Sequence, residues 1–206
     1  MSIRLFLEGI IIGFAIAAPV GPIGVLCIRR TLVEGRASGL ASGVGAATAD
    51  AVYGSVAALG LTFVANLLVE GAAWLRLAGG AFLVFLGVRT FLASPAERAA
   101  PPARSGLLGA YASTLFLTLT NPTTILSFAA VFAGLGVAED ANGDALSALS
   151  LVFGIFLGSA MWWCVLCAAT SLLRARLSAR GLRWLNRVSG AVLAAFGVLA
   201  VWGPGG

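Results

Sequence analysis

Six apolar runs dominate this chain and leave it few ways to fold. They cover approximately Leu5–Ile28, Gly39–Leu68, Ala72–Leu92, Leu107–Val137, Ala145–Leu173 and Leu182–Val201. Each reaches or approaches the roughly 20 residues that carry an α-helix across a hydrocarbon core about 30 Å thick. Water cannot host them together: 60% of the 206 residues are apolar and 10% are charged, against roughly 25% charged in a soluble domain. The sequence therefore predicts an all-α integral membrane protein with six transmembrane helices. The third run is the weakest, because Arg76 and Arg89 leave twelve charge-free residues between them. Both lie near its ends, where a long cationic side chain can snorkel to the interface. The fourth has the opposite problem, since the 34 charge-free residues 105–138 would make a straight helix of about 50 Å. Asn121-Pro122, near its centre, is where it must bend.

The net charge of +5 would suggest a nucleic-acid partner in a soluble protein. Here the arginines sit between the apolar runs and set orientation instead, so the lipid bilayer is the partner and nucleic acid is not. Eleven of the thirteen fall in the first, third and fifth connections: Arg29, Arg30, Arg36, Arg89, Arg98, Arg104, Arg174, Arg176, Arg180, Arg183 and Arg187. The positive-inside rule puts these in the cytoplasm and both termini outside. No basic n-region precedes a small-residue cleavage site, so the run from Leu5 reads as a retained helix. The absence of His excludes an imidazole ligand or relay. Cys164 and Cys167 match C-x-x-C in form, but inside an apolar run they read as small packing residues. No metal site, cofactor or soluble catalytic domain is expected, and hence no enzyme.

The loop 94–105, with Pro95, Pro101 and Pro102, reads as a cytoplasmic linker between halves 1–93 and 106–206. Trp74-Leu75, Gly80-Ala81, Leu83 and Gly87-Val88 recur as Trp184-Leu185, Gly190-Ala191, Leu193 and Gly197-Val198. With three helices per half, the second half must enter the membrane the other way round. Two inverted three-helix repeats of this kind are a transporter signature.

Each half carries a helix breaker at the matching place. In Ala18-Pro19-Val20-Gly21-Pro22-Ile23-Gly24 the prolines lack an N–H and clash with preceding carbonyls, while glycine permits other dihedrals. In Thr118-Leu119-Thr120-Asn121-Pro122-Thr123-Thr124, Pro122 frees the carbonyl of Thr118, and hydroxyls and an amide stand ready to pair with it. One proline kink is ordinary, but two at matching positions point to a substrate site between the repeats. Asp50 is the one acid deep within an apolar run. A carboxylate there costs at least about 2.5 kcal/mol and usually marks an ion or substrate pathway; the plainer alternative is a structural Asp bonded to the broken first helix. Tyr53, three residues on, shares its face and is placed to donate a hydrogen bond to it. Gly9, Gly13, Ala17, Gly154 and Gly158 fit close helix packing. Trp162 and Trp163, mid-helix, either line a cavity or fill space.

The order A-P-V-G-P-I-G in the first helix, G-x-x-x-x-x-D-x-x-Y in the second and L-T-N-P-T-T in the fourth resembles the LysE/RhtB amino-acid exporter family. The W-L-x-x-x-G-A-like repeats of the third and sixth helices are similar to it as well, and the likeness runs from about Gly9 to Val201. It implies a secondary transporter of the bacterial inner membrane that exports amino acids or related small metabolites, driven by the proton gradient. Carried over residue by residue, it points to Pro19, Gly21, Pro22, Asp50, Asn121 and Pro122. The longer proline segment and the acid at Asp50 depart from many relatives, so homoserine and threonine are not carried over as substrates. On the residue chemistry, a half-helix N-terminus takes the α-carboxylate, Asp50 takes the ammonium or the coupling proton, and Tyr53 lies beside it. The competing reading is inorganic cation efflux within the same superfamily, for which one carboxylate is thin coordination. A thiol–disulfide carrier would need a cysteine on the fourth helix. The sequence leaves room for a homodimer.

Overall fold

The computed structural model describes residues 3–19, 21–58, 71–93, 104–135, 145–174 and 179–202. Among these, eight helices and no strand are found: α1 (Ile3–Ala17), α2 (Pro22–Val33), α3 (Arg36–Ala58), α4 (Ala72–Leu92), α5 (Arg104–Leu119), α6 (Pro122–Leu135), α7 (Ala145–Arg174) and α8 (Ala179–Trp202). The first and fourth apolar runs are each divided at their prolines, α1 from α2 with a bend of 83° and α5 from α6 at Asn121-Pro122. Val20, the connections holding Arg98 and Arg176, and the end of the second apolar run lie outside the described residues.

Ala73–Leu92, Leu146–Leu173 and Arg180–Trp202 are each long and apolar enough to cross a membrane, and the bent pair α1–α2 adds a fourth candidate. The remaining helices fall short for two different reasons. Pro122 cuts the fourth run into pieces of 16 and 14 residues. The 23-residue α3 is long enough, but Gly, Ala, Ser and Thr make up much of it. Those small residues suit a helix that touches other helices more than lipid.

The packing is that of a membrane protein, with polar groups inside and apolar groups outside. Arg30, Asp50, Ser42, Thr114, Ser159 and Asn186 are buried, whereas Leu7, Ile11, Phe153, Leu172 and Leu199 are exposed. Exposed Trp74 and Trp202 sit where α4 begins and α8 ends, the level at which indole rings favour a membrane interface.

Glycines set the helix contacts. A Cβ on Gly9 would lie 3.0 Å from Gly154 Cα, and one on Gly13 or Gly158 would strike the backbone of Ile155 or Ile10. Numbers rise together along this contact, so α1 and α7 run parallel. Gly43 faces Trp163 and Gly54 faces Ile155, so α3 and α7 run antiparallel. Gly45 faces Tyr111 and Tyr53 reaches Leu119, which makes α3 and α5 parallel. The repeated glycines close the last contact. A Cβ on Gly80 would come within 2.9 Å of the Gly197 carbonyl oxygen, and one on Gly87 within 2.7 Å of that of Gly190. Thus α4 and α8 are antiparallel.

Candidate functional site

A cavity of about 570 Å³ lies between the two breaks, within the range of small-molecule sites. Pro19, Gly21 and Pro22 line it from the first break, Asn121 from the second, and Asp50 from α3. Five residues from three separate stretches of sequence therefore meet at one place. Pro122 opens α6 at the edge of the second break. Tyr53 is buried but does not line the cavity.

At the first break, α1 ends at Ala17, and the Ala18 amide still donates to Phe14 O (3.0 Å). Gly21 then caps α2 with φ −103° and ψ −162°, and Pro22 takes the first helical position, where its fixed φ fits and its missing N–H costs nothing. The glycine is not needed for a left-handed dihedral. Among the described residues, the one glycine with positive φ is Gly35, in the turn between α2 and α3. A Cβ on Gly21 would meet nothing within 4 Å, so its value is the space it leaves. No side chain caps this helix, and its first turn opens on the cavity with the positive end of the peptide dipoles.

The second break satisfies much of its own backbone. Asn121 N–H donates to Thr118 O (3.2 Å), replacing the bond that Pro122 cannot make. Asn121 Oδ1 accepts from the Thr123 amide (3.1 Å), and Asn121 O accepts from Thr124 and Ile125 (3.1 and 3.2 Å). Asn121 is thus the N-cap of α6. The Leu119 carbonyl, which would have accepted from Thr123 in an unbroken helix, accepts instead from the Tyr53 hydroxyl. The expected Tyr53–Asp50 hydrogen bond is therefore absent. Tyr53 does leave α3 on the side of Asp50, but its ring extends to the neighbouring helix and settles against Phe128 (centroids 5.5 Å apart).

Asp50 accepts from Ser159 Oγ (2.7 Å), and Trp163 Nε1 donates to the same serine oxygen (3.2 Å). Among the described residues, Ser159 is the one side-chain donor to the Asp50 carboxylate. Trp163 lines the cavity, while Trp162 packs edge-on against Phe14. Arg76 is a second departure from expectation: it does not merely mark a helix end but lines the cavity, together with Thr118, Thr120, Thr123 and Thr124. Cys167 is buried and Cys164 exposed, both as free thiols. Among the described residues no group of three Cys, Asp or Glu converges.

The chain matches the LysE type translocator family over residues 14–203. It belongs to that family. Members of it are transporters, so this is a multi-pass membrane translocator and not an enzyme. Among curated proteins it is 27% identical over 198 residues to the putative amino acid efflux protein YcgF of Bacillus subtilis, covering 94% of this chain and 93% of that protein. It is 28% identical to the uncharacterized membrane protein YahN of Escherichia coli, over 85% of this chain and 79% of that one. It is 32% identical to the chemotactic transduction protein ChpE of Pseudomonas aeruginosa, over 81% and 82%. No solved structure matches the chain.

Proposed function

We propose that this translocator exports an amino acid or a related small zwitterion from the bacterial cytoplasm across the inner membrane, by proton antiport. The observation that carries the reading is the pairing, across one cavity, of an uncapped helix N-terminus at Gly21–Pro22 with the carboxyl of Asp50. These are complementary to a carboxylate and an ammonium held a few ångströms apart. Arg76 on the same wall adds to the positive side. The name of the Bacillus relative, an amino acid efflux protein, agrees with this chemistry.

In this reading the substrate-binding residues are Pro19, Gly21, Pro22, Asp50, Asn121 and Pro122, with Tyr53 supporting the second break from behind. Asp50 is also the proton-coupling group, since a carboxyl can carry either a proton or the charge that attracts an amine, and the two exclude each other. That exclusion suffices for antiport.

The fold in this reading is six spans in two inverted repeats, 1–93 and 106–206, joined by a cytoplasmic linker over 94–105. The reciprocity of the glycine contacts supports it. Gly80 meets Gly197, the repeat equivalent of Gly87, and Gly87 meets Gly190, the equivalent of Gly80. A two-fold axis relating the halves requires this exchange of partners. Six alternating spans would also make α1 parallel to α7, α3 parallel to α5, and α4 antiparallel to α8, as the contacts run. The arginine distribution then puts both termini outside.

Loading cells with dipeptides and following which amino acids leave faster when the protein is made tests the substrate class. If no amino acid leaves faster, the exporter reading fails. Reporter fusions after Pro101 and Arg180 should report cytoplasm, and fusions after Asp140 and Gly206 the outside; a cytoplasmic C-terminus would exclude six spans.

A further inference from the structure

A second cavity, of about 620 Å³, lies at the arginine-rich end of the helices. Among the described residues, Arg29, Arg30 and Arg89 line it, against one acid, Glu34; three positive charges and one negative leave a formal +2. Orientation in the bilayer requires arginines on this side but does not require them to converge on a cavity, nor to be buried. Yet Arg30 is only 7% exposed. It is held by neutral groups alone: its guanidinium donates to Ser42 Oγ, Ala110 O and Thr114 Oγ1 at 2.8–2.9 Å and to Ser113 Oγ at 2.8 Å. Arg29 is locked differently, to Glu34 Oε1 (2.8 Å) and Asn186 Oδ1 (3.1 Å). Arg89 makes no hydrogen bond or ion pair among the described residues. A buried charge is normally paired, and here the cavity walls supply hydroxyls around Arg30, while the acid on the wall, Glu34, is bonded to Arg29.

An apolar cluster stands between this cavity and the central one. Leu83 and Leu117 line the central cavity, Leu26 and Leu86 line the second, and these four pack together with Leu193 into one cluster. Leucines from this cluster thus line both cavities.

We propose that the second cavity is a carboxylate-binding antechamber: on the cytoplasmic side, Arg89 and Arg30 take the carboxylate of the solute before the leucine cluster opens to the central cavity. This rests on the exporter reading for its direction, and on its own residues for the anion. A carboxylate suits the guanidinium fork in two parallel hydrogen bonds.

The test uses the purified full-length protein in detergent with acetate as the probe. The rate at which phenylglyoxal modifies Arg89 is followed by peptide mass spectrometry, in acetate and in chloride at equal ionic strength. Acetate should slow modification of Arg89 by about threefold, the size of one accessible ion pair, and leave exposed Arg183 unchanged. Asp50→Asn should not alter this protection, because the acid belongs to the other chamber. Equal rates in acetate and chloride overturn the proposal. Protection by phosphate where acetate gives none also overturns it, in favour of a phosphate or lipid-headgroup site. In cells, Arg89→Gln should raise the internal amino-acid concentration for half-maximal efflux by about threefold and leave the maximal rate unchanged; it disturbs neither the Arg29 lock nor the Arg30 cradle. If no amino acid is exported at all, the exporter reading has failed while the protection experiment still decides the anion site.

Discussion

The two helix breaks leave their backbone groups in different hands. At the second, three of the groups freed around Pro122 find partners within the protein: Thr118 O takes the Asn121 amide, Leu119 O takes the Tyr53 hydroxyl, and the Thr123 amide takes the Asn121 side chain. At the first, Gly21 brings no side chain to the start of α2, and nothing stands within 4 Å of where one would begin. Unsatisfied backbone is costly at membrane depth, so an end left open beside a cavity has a use that a closed end does not. In the proposed reading, one break is held largely by the fold, and the other is kept for a ligand.

Asp50 faces both breaks and gives the largest expected effect. Asp50→Asn retains the shape, and its amide oxygen can still accept from Ser159, so the protein should insert and fold. It cannot exchange a proton. Efflux driven by an imposed pH gradient should fall to the level of cells lacking the protein. Exchange of labelled against unlabelled amino acid separates the roles: loss of both activities makes Asp50 an amine ligand, and retained exchange makes it a proton carrier alone. Wild-type efflux across a range of external pH would leave Asp50 as a packing residue bonded to Ser159, and the central cavity would lose its negative pole.

A smaller effect is expected where the comparison can be reversed on purpose. Gly21→Ser gives the first break the kind of cap that Asn121 gives the second. The serine hydroxyl would accept from the amides of the first turn of α2, which stabilises a helix by roughly a few tenths of a kcal/mol over glycine. The same amides would then be less available to a carboxylate, and efflux should fall about five- to tenfold as an interaction of roughly 1 kcal/mol or slightly more is lost. Gly21→Ala is the control, since a methyl group fits the open space and offers no acceptor. A Gly21→Ser protein that is more stable and transports normally would mean that this helix end is idle.

Much of this arrangement is legible in the sequence, and the rest fails for a common reason. Proline chemistry is local, so Pro19, Pro22 and Pro122 announce both breaks without any knowledge of neighbours. The cost of a carboxylate in lipid singles out Asp50 in the same way. Partners are not local. Three residues of spacing put Tyr53 on the face of Asp50, yet nothing in α3 says that the Leu119 carbonyl waits across the interface. Ser159 and Trp163, one helical turn apart in a charge-free helix, carried a faint signal, because an indole far from either end needs a partner for its N–H. Arg76 read as an end-marking cation because snorkelling describes most arginines at such positions. Only the crossing of α4 with α8, set by Gly80 and Gly87, turns it toward the cavity.

The smallest expected effect falls on the closed break, and it is mainly one of stability. Tyr53→Phe keeps the ring and its packing on Phe128 but removes the donor to Leu119 O. Hydrogen bonds between helices in a membrane average about 0.6 kcal/mol and reach about 1.7. A loss in that range should appear when the purified protein is unfolded reversibly by rising SDS in mixed micelles. The upper part of the range is expected, because among the described residues Tyr53 is the donor to the Leu119 carbonyl, and a freed acceptor away from water is costly. Efflux should stay within about twofold of wild type, since the hydroxyl lies outside the cavity and no ligand group depends on it. The pattern is then the inverse of Gly21→Ser: lower stability with transport kept, against higher stability with transport reduced. If Tyr53→Phe instead abolishes efflux from a protein that unfolds at the wild-type SDS fraction, the second break also serves the ligand, and the division of labour between the two breaks is wrong.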